Sequence, residues 1–175
     1  MGVVIMWPSR QEAHHRADGM TEGYDLSGAT VVEVPAGFSW AGHCIDWDLL
    51  TVSADLDAAR ARRWEDVKAM RNAAASGGCE TPLGRVDTTD ASRVLITGAV
   101  QMAQLSGGAY AVDWTMADNS KVTHDGPAMI AMGVAVAQHI AACWAHGQAL
   151  REAIGAASTA EALDSIDINA GWPGQ

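Results

Sequence analysis

The sequence predicts an α+β fold: a small N-terminal β region followed by a helical domain of three main helices with one or two β-hairpins. Three observations carry this. Before residue 53 the apolar residues come in short runs closed by proline, VVIMW before Pro8 and TVVEV before Pro35. After it they recur at three- and four-residue steps over long stretches. Residues 110–133, YAVDWTMADNSKVTHDGPAMIAMG, then hold a hairpin, a helix cap and the start of a long apolar helix in one segment.

Taken in order, residues 3–7 form the first strand, and residues 9–28, polar and carrying Gly19, Gly23 and Gly28, form a long loop that wraps a partner or extends as an arm. Thr30–Val34 is a second strand, ended by Pro35-Ala36-Gly37. Phe38–Trp47 holds one or two short strands, with Trp40 and Trp47 covering one face of the small sheet and Asp46 and Asp48 on the wet side. The first helix begins near Ser53 as N-cap, with Asp55 and Asp57 at the positive end of its dipole. Its stripe is Leu56, Trp64, Val67, Met70 and Ala74, interrupted by Arg60, and Gly77-Gly78 stops it.

A small hairpin is centred on Pro82-Leu83-Gly84. Thr88, Thr89 or Asp90 caps the second helix, whose buried side is expected to be Val94, Leu95, Gly98, Met102 and Leu105, and Ser106-Gly107-Gly108 ends it. In the hairpin that follows, Ala117-Asp118-Asn119-Ser120 makes the turn, because Asp and Asn bond nearby backbone and tolerate left-handed dihedrals. Asp125 caps the third helix and Pro127 falls in its first turn, where no backbone donor is lost. That helix runs from about Pro127 to about Gly155 and is apolar on more than one face, which marks a buried helix or an oligomer contact. Ser158-Thr159-Ala160-Glu161 matches a capping box and starts a last short helix. The organisation expected is a β-rich attachment region, residues 1–52, and a helical domain, residues 53–175.

Composition narrows the function classes. Hydrophobic residues make up 49% and charged residues 18%, enough apolar surface for a packed core. The net charge of −10 disfavours nucleic-acid binding and docking on an anionic membrane. Arg60, Arg62, Arg63, Lys68 and Arg71 are interleaved with acids on one helix, a solvated mixed-charge face. Cys44, Cys79 and Cys143 are odd in number and contain no CxxC, so a disulfide framework is not expected. The longest apolar region, residues 128–144, is interrupted by Gln138 and His139 and is short for a membrane span. No secretion signal is expected, nor insertion into a membrane.

Candidate chemistry is sparse. His139, Cys143 and His146, at i, i+4 and i+7, share a helix face and could supply three zinc ligands, although one face seldom completes a tetrahedron and the bland reading is a core cysteine with polar-edge histidines. His14-His15 reads as a solvated pair. His43 and Cys44, adjacent on a strand, point to opposite sides and cannot form a dyad. Asp46 and Asp48 could face the same way, but an isolated Asp-x-Asp is common. No phosphate-loop, dinucleotide or nucleophile-elbow pattern is present. Neither a catalytic residue nor a cofactor is expected. The chain instead has seven tryptophans against one phenylalanine and two tyrosines. Trp64, Trp114 and Trp144 are assigned to the helical core. Trp7, Trp40, Trp47 and Trp172 are the candidates for a partner contact, since tryptophan buries a large area with few rotors.

The segment from about Trp64 to Ile166, with its helix end RNAAASGG, its hairpin CETPLGRVDTTDASR, the run VDWTMADNSKVTHD, the helix MIAMGVAVAQHIAAC and the ending LREAIGAASTAEALDSID, resembles a bacteriophage domain family of unknown function found at the C-terminal end of tail-fibre and tail-associated proteins. The resemblance implies a non-enzymatic structural protein of a tailed-phage virion, at the tail tip, baseplate or tail fibre, made in the host cytoplasm. Its expected partners are other phage tail proteins, and it is expected to form a homo-oligomer, with a trimer as the form the fibre context suggests. An assembly chaperone for the tail fibre is the alternative, and a metal-dependent enzyme using the third-helix histidines is the reading from a different class.

Overall fold

The computed structural model describes residues 1–36, 38, 40, 43–106 and 108–174, so Gly37 and Gly107, named above where a strand and a helix end, lie outside the described residues. The expected α+β class is what the chain adopts. It divides into two compact units, Met1–Arg63 with Ala157–Ser165 and Trp64–Ala156 with Ile166–Gln175. The division falls inside the first helix rather than before it, and a late stretch of chain belongs to the first unit.

In the first unit, strand β1 (Gly2–Trp7) is the centre of a three-stranded antiparallel sheet, flanked by β2 (Glu12–Arg16) and β3 (Thr30–Val34). Val4 is paired with His15 on one side and Val32 on the other. All six residues of β1 are buried, which is why it reads as an unbroken apolar run rather than an alternating one. Val4 and Met6 face Val34, Phe38, Ile45, Trp47 and Val52, the last three from the hairpin of β4 (His43–Asp46) and β5 (Thr51–Ala54). Val3, Ile5 and Trp7 face the other way, toward Tyr24 and Ala29.

The long loop expected over residues 9–28 is therefore corrected twice. Its first half is a 3-10 turn, Pro8–Arg10, and then β2, whose EAHHR sequence shows no apolar alternation because it is an edge strand. Its second half folds back over the sheet and supplies Tyr24 as a cover for Trp7 instead of reaching outward.

Helix α1 (Leu56–Ser76) is capped two residues later than expected: Asp55 Oδ1 accepts the Ala58 amide at 2.9 Å, while Ser53 is paired with Cys44 in the β4–β5 hairpin. Arg60 Nη2 donates to the carbonyl of Ala157 at 2.6 Å. Just beyond lies the short helix α4 (Ala160–Asp164), with Thr159 as its cap and Leu163 buried.

The second unit begins in the latter half of α1, which buries Val67, Arg71 and Ala75. Gly78, at φ 85°, turns the chain out of the helix, and a Cβ there would stand 2.9 Å from the Val86 carbonyl, so no other residue fits. The hairpin of β6 (Cys79–Thr81) and β7 (Gly84–Val86) follows. Thr88 is fully buried, and its hydroxyl donates to the Ala75 carbonyl at 2.7 Å and accepts the Gly78 amide at 2.9 Å, tying hairpin to helix end.

Thr89 caps α2 (Asp90–Leu105). The hairpin of β8 (Ala111–Thr115) and β9 (Lys121–Asp125) turns at Asn119, which takes φ 66° as its residue type allows. Asp125 Oδ1 accepts the Ala128 amide at 2.9 Å and starts α3 (Gly126–Ala156), as expected. The two helices run antiparallel, Ala103 near Gly126 and Val100 against Gly133. A core of Ile96, Ala103, Met116, Met129, Met132 and Val136 lies between helices and hairpins. Helix α3 is long and apolar enough to cross a membrane by length and composition, and 22% of its apolar window is buried inside the protein, including Met129, Met132, Val136 and Cys143.

Candidate interaction surface

Two of the four tryptophans expected to meet a partner are turned inward. Trp7 is 5% exposed, its Nε1–H donates to the Asp25 carbonyl at 3.0 Å, and the rings of His14 and Tyr24 lie 5.6 and 6.0 Å away. Trp172 is 3% exposed, donates to the Ile168 carbonyl at 2.8 Å and meets the His146 ring edge-on at 4.6 Å. Each indole has found both its apolar bed and its hydrogen-bond partner inside its own unit, so neither is presented to another molecule. Trp47 is half-buried against the N-terminal sheet. Trp40 is exposed, its ring edge-to-face with Phe38 at 5.0 Å. Of the three placed in the core by sequence, Trp114 packs there, but Trp144 is 47% exposed and lies beneath the Arg71 guanidinium at 3.8 Å.

The third-helix triplet is spent on structure. His139 Nε2–H donates to the Ala74 carbonyl at 3.0 Å, with Cys143 Sγ 3.8 Å from the same nitrogen, and His146 Nε2–H donates to the Ala170 carbonyl at 3.1 Å. These contacts pin α3 to the end of α1 and to the C-terminal segment. His124 Nδ1 bonds the Val122 carbonyl while its buried Nε2 has no hydrogen-bond partner, and Asp125 caps α3. Among the described residues no three of His, Cys, Asp and Glu converge as metal ligands.

The remaining candidates are also local. Asp46 Oδ1 accepts the Asp48 and Leu49 amides, which makes it a turn-former. His14 Nε2 meets Glu12 Oε1 at 2.9 Å, and the His15 and His43 rings pack on Phe38. Cys44 is exposed, with Sγ 3.3 Å from the Ser53 hydroxyl. Burial pushes the Cys79 and Cys143 thiols up, away from nucleophilic thiolate.

What sequence reading missed is on α2, where the expected buried side is the outer one. Val94 is 72% exposed, Leu95 64%, Met102 54% and Leu105 81%, while Ile96 and Ala103 are buried. Helix α2 carries two apolar stripes. The narrower one, Ile96, Ala99, Val100 and Ala103, packs against α3, where Gly133 makes room for Val100. The broader one is left to solvent. Ala91, Leu95, Gly98, Met102 and Leu105 along it follow alternating four- and three-residue steps, the repeat of a helix–helix seam. No charged residue interrupts that seam.

Gly98, at its centre, has open space where a Cβ would point. A mid-helix glycine costs about 1 kcal/mol relative to alanine, and no packing within the unit requires this one. That unexplained glycine was the available signal in the sequence. Depressions flank the seam on both sides. An apolar one of about 400 Å³ lies between α2 and α3 and includes Ile96, Val100, Ile130 and Val134. A more polar one of about 330 Å³ lies between Leu95 and the β8 residues Val112 and Trp114.

No curated protein and no solved structure matches the chain. The chain belongs, by the match of residues 58–170, to the family described as a domain of unknown function (DUF4376).

Proposed function

We propose that this protein is a structural component of a tailed-bacteriophage virion, at the tail tip, baseplate or tail fibre, and that it works through protein–protein contacts rather than bond-making side chains. It is synthesised in the host cytoplasm and ends in the particle. The reading is supported by the sequence resemblance of its helical part to phage tail-associated domains, and the observation that carries it is the uncharged, solvent-facing seam of α2 in a chain of net charge −10. A contiguous apolar face of this kind marks an association surface.

The first unit offers the means of attachment to a neighbouring tail protein. Among the described residues β3 has no strand on its outer edge, and its sequence, TVVEV, carries one charge where the opposite edge strand, EAHHR, carries two besides its histidines. Strand addition along β3 is the simplest docking mode for such an edge.

Mass spectrometry of purified particles tests the proposal. The protein is expected at fixed stoichiometry with other tail components. Its presence in the infected-cell lysate but not in particles would move the assignment to a fibre-assembly chaperone, and its presence in uninfected, prophage-free cells would remove it.

A further inference from the structure

We infer that the outer face of α2 is a self-association surface, on which a second copy of this chain packs its own α2 antiparallel across a two-fold axis at Gly98. The inference rests on the reading above and names the occupant of its association surface, and its test in solution is separate from the particle analysis.

Three features choose the occupant. The first is the pattern of sizes along the seam, which is small at Ala91, large at Leu95, absent at Gly98 and large again at Met102 and Leu105. A helix running the opposite way, centred on Gly98, would set Leu95 against the partner copy's Met102 and Ala91 against its Leu105. Every large side chain then meets a smaller or flexible one. In parallel register two leucines would meet at one end and two alanines at the other, and the helices would splay. An isologous contact of this type is what a two-fold dimer requires.

The second feature is Gly98 itself. It has no neighbour within its own unit, and removing a side chain at a crossing point lets two backbones approach. Gly133 shows the contrast, since its missing Cβ is accounted for by Val100 at 2.6 Å.

The third feature is area and charge. The exposed parts of Val94, Leu95, Met102 and Leu105 come to roughly 500 Å², so two copies bury about 1,000 Å², the lower limit for a specific interface. A chain of net charge −10 repels its copy over most of its surface, and the seam itself carries no charge, Asp87 and Asp113 lying in the depression beside it. On its flank Asp90 is neutralised by Arg93 at 2.6 Å. Antiparallel packing also sets the positive N-terminal end of each helix beside the negative C-terminal end of the other.

Sedimentation velocity of the full chain from about 1 to about 100 μM reads the outcome, with a dimer expected to form within that range, since interfaces below about 1,200 Å² belong to the weak class. Leu95→Glu and Leu105→Glu alter side chains that already stand in solvent, so circular dichroism should be unchanged while dimerisation weakens at least about tenfold. Gly98→Ala is the sharper variant. The dilute protomer should melt at the same or a higher temperature, and the dimer should weaken.

In a Cys44→Ser background, a mixture of Leu95→Cys and Met102→Cys chains should form a mixed disulfide that Leu95→Cys alone does not. A wild-type monomer throughout the range, a dimer untouched by Leu95→Glu, or a trimeric mass would each overturn the inference, as would cross-linking of Leu95→Cys to itself. All four would leave the tail assignment standing.

Discussion

Thr88 shows how much one side chain can hold. Its hydroxyl serves a carbonyl at the end of α1 and the amide of Gly78, with no water contact. Thr88→Val keeps the shape and leaves both backbone groups unpartnered. The expected cost is about 2–4 kcal/mol, read as a lower urea midpoint with unchanged slope. A surface carboxylate gives a second prediction at this scale. Asp18 is held down to about 2, first by the Arg16 guanidinium and then by the Met20 amide. Because the folded value is depressed, the interaction is fully present above the ordinary carboxylate range and is lost as pH falls through that range toward 2. Asp18 is exposed, so the readout is the titration itself: carboxyl-detected NMR should place its midpoint near 2, and Arg16→Gln should return it toward the usual value. Caps and turns at this scale were legible in advance, because Asp125, Asn119 and Thr89 each do locally what their residue type favours anywhere. The fates of Trp7 and Trp172 were not legible, since an indole reads alike whether its N–H finds a carbonyl at home or in a partner.

Element by element, the helices and the two apolar strands could be read from period, and what period could not supply was direction. Helix α2 has two apolar stripes, and the larger looked like the core side. The inner side is the smaller stripe, because close packing on α3 selects Val100 against Gly133 over bulk. Gly133→Ala tests that choice: its Cβ would press on Val100, whose rotamer is fixed in a helix. The expected loss is about 1–3 kcal/mol, measured as a lower thermal midpoint. Strand β2 was hidden for the complementary reason. As an edge strand it has no need of an apolar row, so EAHHR carries no period-two signal and its place is set by pairing with β1.

For the molecule as a whole, the apolar period shifts near residue 53, whereas the two compact units divide between Arg63 and Trp64. The return of residues 157–165 to the first unit had no local signal, because it depends on long-range contacts such as Arg60 with the Ala157 carbonyl. Long-range contacts also hold the third helix. The histidines of α3 spend ring nitrogens on carbonyls of α1 and of the final segment, so they act as clamps between distant parts of the chain.

Those clamps bear on how the protein should be handled at the bench. Trp172 is sealed beneath the His146 imidazole, so a truncation that takes it away would unseat a plug. Affinity handles and fluorescent fusions should therefore leave residues 166–174 in place.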